Sequence, residues 1–299
     1  MKKLDLHIYL VFAFFLAAFI IGSFFDFQIN DALFHDKDTF GLVVSVIGTT
    51  PGYGVMAFIG GGLLYFGIKK ELPHLIWKII CLVMGVVAIG LAIHFSGREF
   101  FGPNGFDMLG IARPMGYLIS LPVDLAIGFL GFHLSSKTDR DNLWIIYLIL
   151  LAAIGLTLIG GVTLLKGIMH RPRFRSLQGG LDFHSWWDRC SNYKDYMEAL
   201  NLPSEEFKSF PSGHAGSCGV LLMASLFLPY INKKYETASY ITFYIALAWT
   251  LLVSFARMYV GAHYLSDVSM GVMISILFFF VAKIVLENVK LFNNSQYSE

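Results

Sequence analysis

Three short clusters carry residue types suited to handling a phosphoryl group. Lys166, His170, Arg171 and Arg173 form the first; Pro211, Ser212, Gly213 and His214 are contiguous; Arg257, His263 and Asp267 form the third. A phosphate ester presents about two negative charges, and phosphoryl transfer spreads charge over the equatorial oxygens, so fixed cations and N–H donors dominate its stabilisation. Lys166, Arg173 and Arg257 supply cations, and the arginines add planar two-pronged donation. Ser212 and Gly213 open an apolar stretch that reads as a helix, whose unpaired N–H groups and positive dipole end receive an anion. Pro211 suits such a start. His263 and Asp267 are four apart, so a helix puts them on one face, where the carboxylate fixes the tautomer of a nucleophilic imidazole. His214 is then placed to protonate the leaving oxygen and later to activate water. Each role has one occupant.

Neighbouring residues read differently. Arg171 and Arg175 suit lipid-headgroup or surface contact, with Arg171 kept as a candidate additional substrate contact. His170 reads as structural, and Trp186 and Trp187 as interface anchors. Asp124 lies inside an apolar run, where carboxylates are costly; it is not assigned to the site. Cys81 and Cys218 fall in apolar runs and Cys190 in a polar one, with no metal-like spacing among them. Neither a metal nor a cofactor is expected. No basic stripe interleaved with aromatics points to nucleic acid, and no obligate protein partner is evident.

The elements that must position these clusters are membrane spans. The 299 residues are 56% hydrophobic and only 14% charged, with a mean hydropathy of +0.63. A soluble domain carries roughly a quarter charged residues. Spans need about 20 apolar residues, and eight segments qualify: 6–25, 51–68, 74–95, 116–134, 144–165, 211–230, 239–257 and 265–286. The second is the least regular, since Pro51 and several glycines interrupt it and 41–50 is also apolar; a longer tilted or broken helix fits equally. The expected fold is all-α, a polytopic transmembrane bundle forming one domain over 1–290, with a catalytic core at 144–286 and a short polar tail at 291–299.

Lys2, Lys3, Lys69, Lys70, Lys137, Arg140, Lys233, Lys234, Lys283 and Lys290 occupy alternate inter-span segments and the termini. This positive-inside pattern puts both termini in the cytoplasm. The loops 26–40, 96–115, 166–210 and 258–264, and with them all three clusters, then face outward. The cations of 166–210 break the charge rule and need another reason to be there.

This arrangement resembles the type-2 phosphatidic acid phosphatase superfamily, in its membrane lipid phosphate phosphatase branch. That family's signature reads K-x6-R-P, P-S-G-H and S-R-x5-H-x3-D. Lys166 and Arg173 match the first motif, Pro211 to His214 the second in full, and Arg257, His263 and Asp267 the third. The resemblance covers 144–286. It implies the roles given above, a phosphohistidine intermediate, no metal, and hydrolysis of a membrane-borne lipid phosphate or pyrophosphate such as undecaprenyl pyrophosphate, phosphatidylglycerophosphate or phosphatidate. It also implies a six-helix core with two extra spans within 51–134. Phe174 stands where the family has Pro, and Ala256 where it has Ser. Two other readings stay open: a phosphotransferase passing the group to a hydroxyl, and a non-catalytic lipid-binding or transport protein. A nucleophile–acid pair speaks against the latter.

Overall fold

The computed structural model describes residues 2–100 and 114–288; the expected tail at 291–299 and most of the 96–115 loop lie outside them. All regular structure among the described residues is helical. In chain order the helices are α1 (Lys2–Leu33), α2 (Thr39–Gly48), α3 (Thr50–Lys69), α4 (Leu75–Arg98), α5 (Pro114–Ser135), α6 (Leu143–Gly155), α7 (Leu164–Met169), α8 (Phe174–Leu177), α9 (Tyr193–Ala199), α10 (Gly213–Ala224), α11 (Leu228–Ile231), α12 (Glu236–Tyr259) and α13 (Leu265–Asn288). A π-helical turn, Leu156–Thr163, joins α6 to α7. Among the described residues, eight helical stretches are long and apolar enough to cross a membrane.

The first span departs from expectation, and the second takes the longer, broken form. Helix α1 continues past residue 25 to Leu33, so Asp26, expected in an exposed acidic loop, is a buried helical residue. The reason is a close approach: a Cβ on Gly22 would lie 2.6 Å from the Ser266 nitrogen, so α1 packs directly on the start of α13. The second span, Thr39–Lys69, is two helices broken at Thr49, with Asp38 capping α2 through the Gly41 N–H at 3.1 Å and Pro51 in the first turn of α3. Proline there lacks only an N–H that would have no helical partner.

In lipid, helices associate through close packing and not through hydrophobic expulsion, and the glycines do this work. A Cβ on Gly52 would meet the Ser217 carbonyl of α10 at 2.2 Å, and one on Gly61 would meet Gly128 of α5 at 1.7 Å. Helix α3 packs on α4, α5 and α10, while α13 packs on α1 and α10 and α12 on α10 and α2. The large side chains that remain exposed, among them Phe24, Phe129 and Ile159, point outward from the bundle. The turns after α3, α5 and α11 gather at one end, where Lys70 pairs with Asp141 at 3.0 Å and the Thr138 hydroxyl donates to the Ile231 carbonyl at 2.7 Å. The three motif clusters gather at the other.

Candidate active site

Three segments converge where α7 ends, α10 begins and α12 meets α13. His170 adopts a left-handed conformation (φ 47°), which ends α7 and turns the chain into the Arg171–Arg173 strap. Lys166 donates to the Lys208 carbonyl, and its Cε lies 3.8 Å from where a Gly213 Cβ would be. Arg173 spends its backbone N–H on the Glu206 carbonyl (2.9 Å) and its Nε on the Glu205 carbonyl (2.8 Å), leaving Nη1 buried and unpartnered. Arg257, in the last turn of α12, is fully buried, and none of its three guanidinium nitrogens has a hydrogen-bond partner among the described residues. Buried donors without acceptors are costly. An anion in the cup would satisfy them.

His263 lies in the connection before α13, not on a helical face with Asp267. The expected direct Asp267–imidazole hydrogen bond is therefore absent: Oδ2 of Asp267 is 3.7 Å from Nδ1. The acceptor for Nδ1–H is instead the Ser209 carbonyl at 2.7 Å, which leaves Nε2 for a substrate. Asp267 organises the surroundings. Its Oδ2 accepts from the Ser209 hydroxyl at 2.5 Å and from the Tyr264 N–H at 2.9 Å, the second being a capping contact at the start of α13. Its Oδ1 accepts from Arg171 at 2.6 Å. Burial, and then the charges of Lys166, Arg173 and Arg257, push the His263 imidazole well below its ordinary pKa, against the pull of the Ser209 carbonyl. All three expected cations thus act on one ring. These surroundings favour the uncharged ring.

His214 opens α10 and interacts electrostatically with His263, so the two imidazoles belong to one site. Its Nε2 lies 3.0 Å from the Ser45 carbonyl on α2 and 3.5 Å from Oε2 of Glu99, just past the end of α4. Ser212 caps α10, its hydroxyl accepting from the Ala215 N–H at 3.4 Å, and its backbone N–H donates to the Asp267 carbonyl at 2.9 Å. The second and third motifs are joined by that bond.

Arg171 requires a correction. It is neither a headgroup contact nor turned to the cup: it is fully buried, with Nη2 on Asp26 (2.9 Å), Nη1 on Asp267 and on the Ser266 hydroxyl (2.9 Å), and Nε on the His184 carbonyl (2.8 Å). Its guanidinium also sits 3.9 Å over the Tyr264 ring. Arg175 is likewise engaged by Glu206, which takes a further bond from the Ser176 hydroxyl at 2.5 Å. Burial works against the Glu206 charge, but the Arg175 bond, the charges of Arg173 and Arg175 and the Ser176 bond outweigh it, bringing its pKa to about 2. Phe174 packs among Phe27, Phe34 and Tyr264, so the aromatic residue serves as a packing anchor. Ala256 fills an apolar slot with Val44, Cys218 and Val253. Trp186 donates to the Ser23 hydroxyl at 2.8 Å and stacks on Phe210, bracing the segment that leads into Pro211.

Sequence reasoning missed Asp26, Ser45, Glu99, Ser209 and Ser266. Nothing in their local sequence marks them: Asp26 is one of several acids after the first span, and Ser45 acts through its carbonyl. An apolar cavity of about 440 Å³, lined by residues such as Phe58, Leu150, Leu221 and Ala246, lies deeper between α3, α6, α10 and α12. It holds no charged residue and is not the charged cup. Among the described residues no group of three His, Cys, Asp or Glu is placed to hold a metal ion. No curated protein and no solved structure matches the chain. A family model does, over residues 143–290, and its description is the PAP2 superfamily.

Proposed function

Through residues 143–290 the chain belongs to the PAP2 superfamily, and from that premise we propose that it is a membrane-embedded phosphatase acting on a lipid phosphate or lipid pyrophosphate. The observation that carries this reading is the Arg257 guanidinium, buried with three nitrogens that have no partner among the described residues, beside two histidines and two further cations. A site built so needs an anion with several oxygens. Pure lipid binding gives no reason for an uncharged imidazole with one nitrogen committed to a carbonyl and the other free.

In the proposed reaction the His263 Nε2 lone pair attacks phosphorus and the phosphorus–oxygen bond to the lipid breaks. The departing oxygen takes a proton from His214 Nδ1, while Lys166, Arg173, Arg257 and the N-terminal N–H groups of α10 hold the equatorial oxygens. Water then attacks the phosphohistidine, gives its proton to His214, and the phosphorus–nitrogen bond breaks to release phosphate. Asp267 acts at one remove, holding Ser209, Tyr264 and Arg171, and so the carbonyl that orients His263. We read the chain as one membrane domain over 1–290, supported by α1, α2 and α3 packing on the family helices. The basic turns at the far end support a cytoplasmic assignment for that end and an extracytoplasmic site.

The test is purified protein in detergent with EDTA, assayed for phosphate release from phosphatidate, phosphatidylglycerophosphate and undecaprenyl pyrophosphate. Activity should survive EDTA and fall by about 10³-fold or more in His263→Ala, with an acid-labile phosphoenzyme seen only in the parent. Strict dependence on added Mg²⁺, or turnover by His263→Ala, would overturn the reading. Labelled lipid or sugar product without free phosphate would instead mark a phosphotransferase.

A further inference from the structure

Besides the strap and helices that carry the three motifs, the first hundred residues also reach the cup, through Ser45 and Glu99. Glu99 stands there, 17% exposed by its side chain, directly after α4 and outside the family match. Its Oε2 is 3.5 Å from His214 Nε2, and its Oε1 is 3.6 Å from Nε of Arg98. Among the described residues, the other charged groups that act on His214 are cationic or can become so: Arg257 from α12, Arg173 from the strap and His263 from the α12–α13 connection. Lys166 lies beside Gly213, the next residue along. From α2 only the Ser45 carbonyl reaches the ring, and Tyr53 of α3 lies within electrostatic reach of Glu99.

This geometry creates a conflict for the first half of the proposed reaction. A general acid must carry its proton when substrate arrives, yet guanidinium groups crowd an imidazole that is almost wholly buried. Among the described residues Glu99 is the one carboxylate within salt-bridge distance of His214. We propose that Glu99 is a positioning residue that sustains the imidazolium form of His214 from its Nε2 side, so that Nδ1 holds the proton given to the departing lipid oxygen. The idea rests on the phosphatase reading above and deepens it. Burial raises the Glu99 carboxyl, against the pull of Arg98 and Arg257, so what singles out Glu99 is its 3.5 Å approach to the ring. The Ser45 carbonyl orients the ring in either protonation state; a neutral acceptor cannot replace the carboxylate's charge.

The experiment compares the full-length parent, Glu99→Gln and Glu99→Asp in detergent on two substrates: a lipid phosphate, and its analogue with sulfur as the bridging atom, whose thiolate leaves without a proton. The readout is first-turnover release of the leaving group. Glu99→Gln should slow release from the oxygen ester by about tenfold or more, lose less than about threefold on the sulfur ester, and shift the alkaline limb of kcat/KM to lower pH. Glu99→Asp should recover part of the loss. Equal losses on both substrates, or none on either, would overturn the proposal, and a fall in melting temperature alone would mark Glu99 as structural. His214→Ala is the control: if it shows the oxygen–sulfur split and Glu99→Gln does not, the assignment of Glu99 fails while the phosphatase reading stands. If the parent releases nothing from any lipid phosphate, the phosphatase reading itself fails.

Discussion

Burial and three neighbouring cations disfavour the charged form of the His263 imidazole, and that has a measurable consequence. Its pKa is lowered by burial and by Lys166, Arg173 and Arg257, so protonation, which would block a nucleophile, occurs only well below the ordinary histidine range. The acid limb of kcat/KM, which reports the free enzyme, should therefore lie well below pH 6.5. Removing one of the cations weakens the effect. Lys166→Met should lower kcat/KM and also move the acid limb upward, toward higher pH. A limb that stays in place, or moves down, would show that Lys166 does not act on this ring. At the same scale, the bond from His263 to a backbone carbonyl explains how orientation is achieved without a direct carboxylate contact: Asp267 fixes Ser209, and Ser209 fixes the ring.

At the scale of elements, the cup depends on how closely α13 approaches the start of α10. A Cβ on Gly271 would lie 2.4 Å from the Ser212 carbonyl and 3.1 Å from the Gly216 nitrogen. Both are backbone atoms, which cannot turn aside as a side chain can. Gly271→Ala must therefore part the two helices, at a cost of about 1–3 kcal/mol. The same displacement stretches the Ser212 N–H bond to the Asp267 carbonyl, so activity should fall further than stability does. Melting in detergent and phosphate release, measured on the same preparation, separate the two. Wild-type turnover in Gly271→Ala would mean that the helices tolerate the separation and that their contact does not set the site.

The whole molecule is held at the site end by a buried charge network spanning distant parts of the chain. Arg171 joins Asp26 of α1 to Asp267 of α13, with Ser266 bonded to both Arg171 and Asp26. Breaking a buried pair by removing one partner typically costs about 3–5 kcal/mol, because the remaining charge is stranded. Arg171→Met should show a loss of that size in thermal or denaturant unfolding. Arg171→Lys should restore little, since an ammonium cannot reach two carboxylates, a hydroxyl and a carbonyl in one plane. A loss below about 1 kcal/mol would indicate that the network is solvated and not buried.

Composition and apolar run lengths were enough to determine a helical membrane protein with eight spans, because hydrocarbon leaves the backbone few ways to satisfy its hydrogen bonds. Motif spacing likewise pointed to the family, and the residues it singled out as candidates, Lys166, Arg173, His214, Arg257 and His263, act on one another electrostatically in the structure. Three things were decided only by the tertiary structure. Arg171 sits between two carboxylates and not at a headgroup, Ser209 and not Asp267 receives the His263 N–H, and Asp26, Ser45 and Glu99 are brought to the site from the half of the chain without a motif. Each of these depends on which helix lies beside which and at what depth, and that is set by glycine-mediated contacts between segments far apart in sequence. A span is specified by its own twenty residues, whereas a neighbour across the bundle is specified by shape.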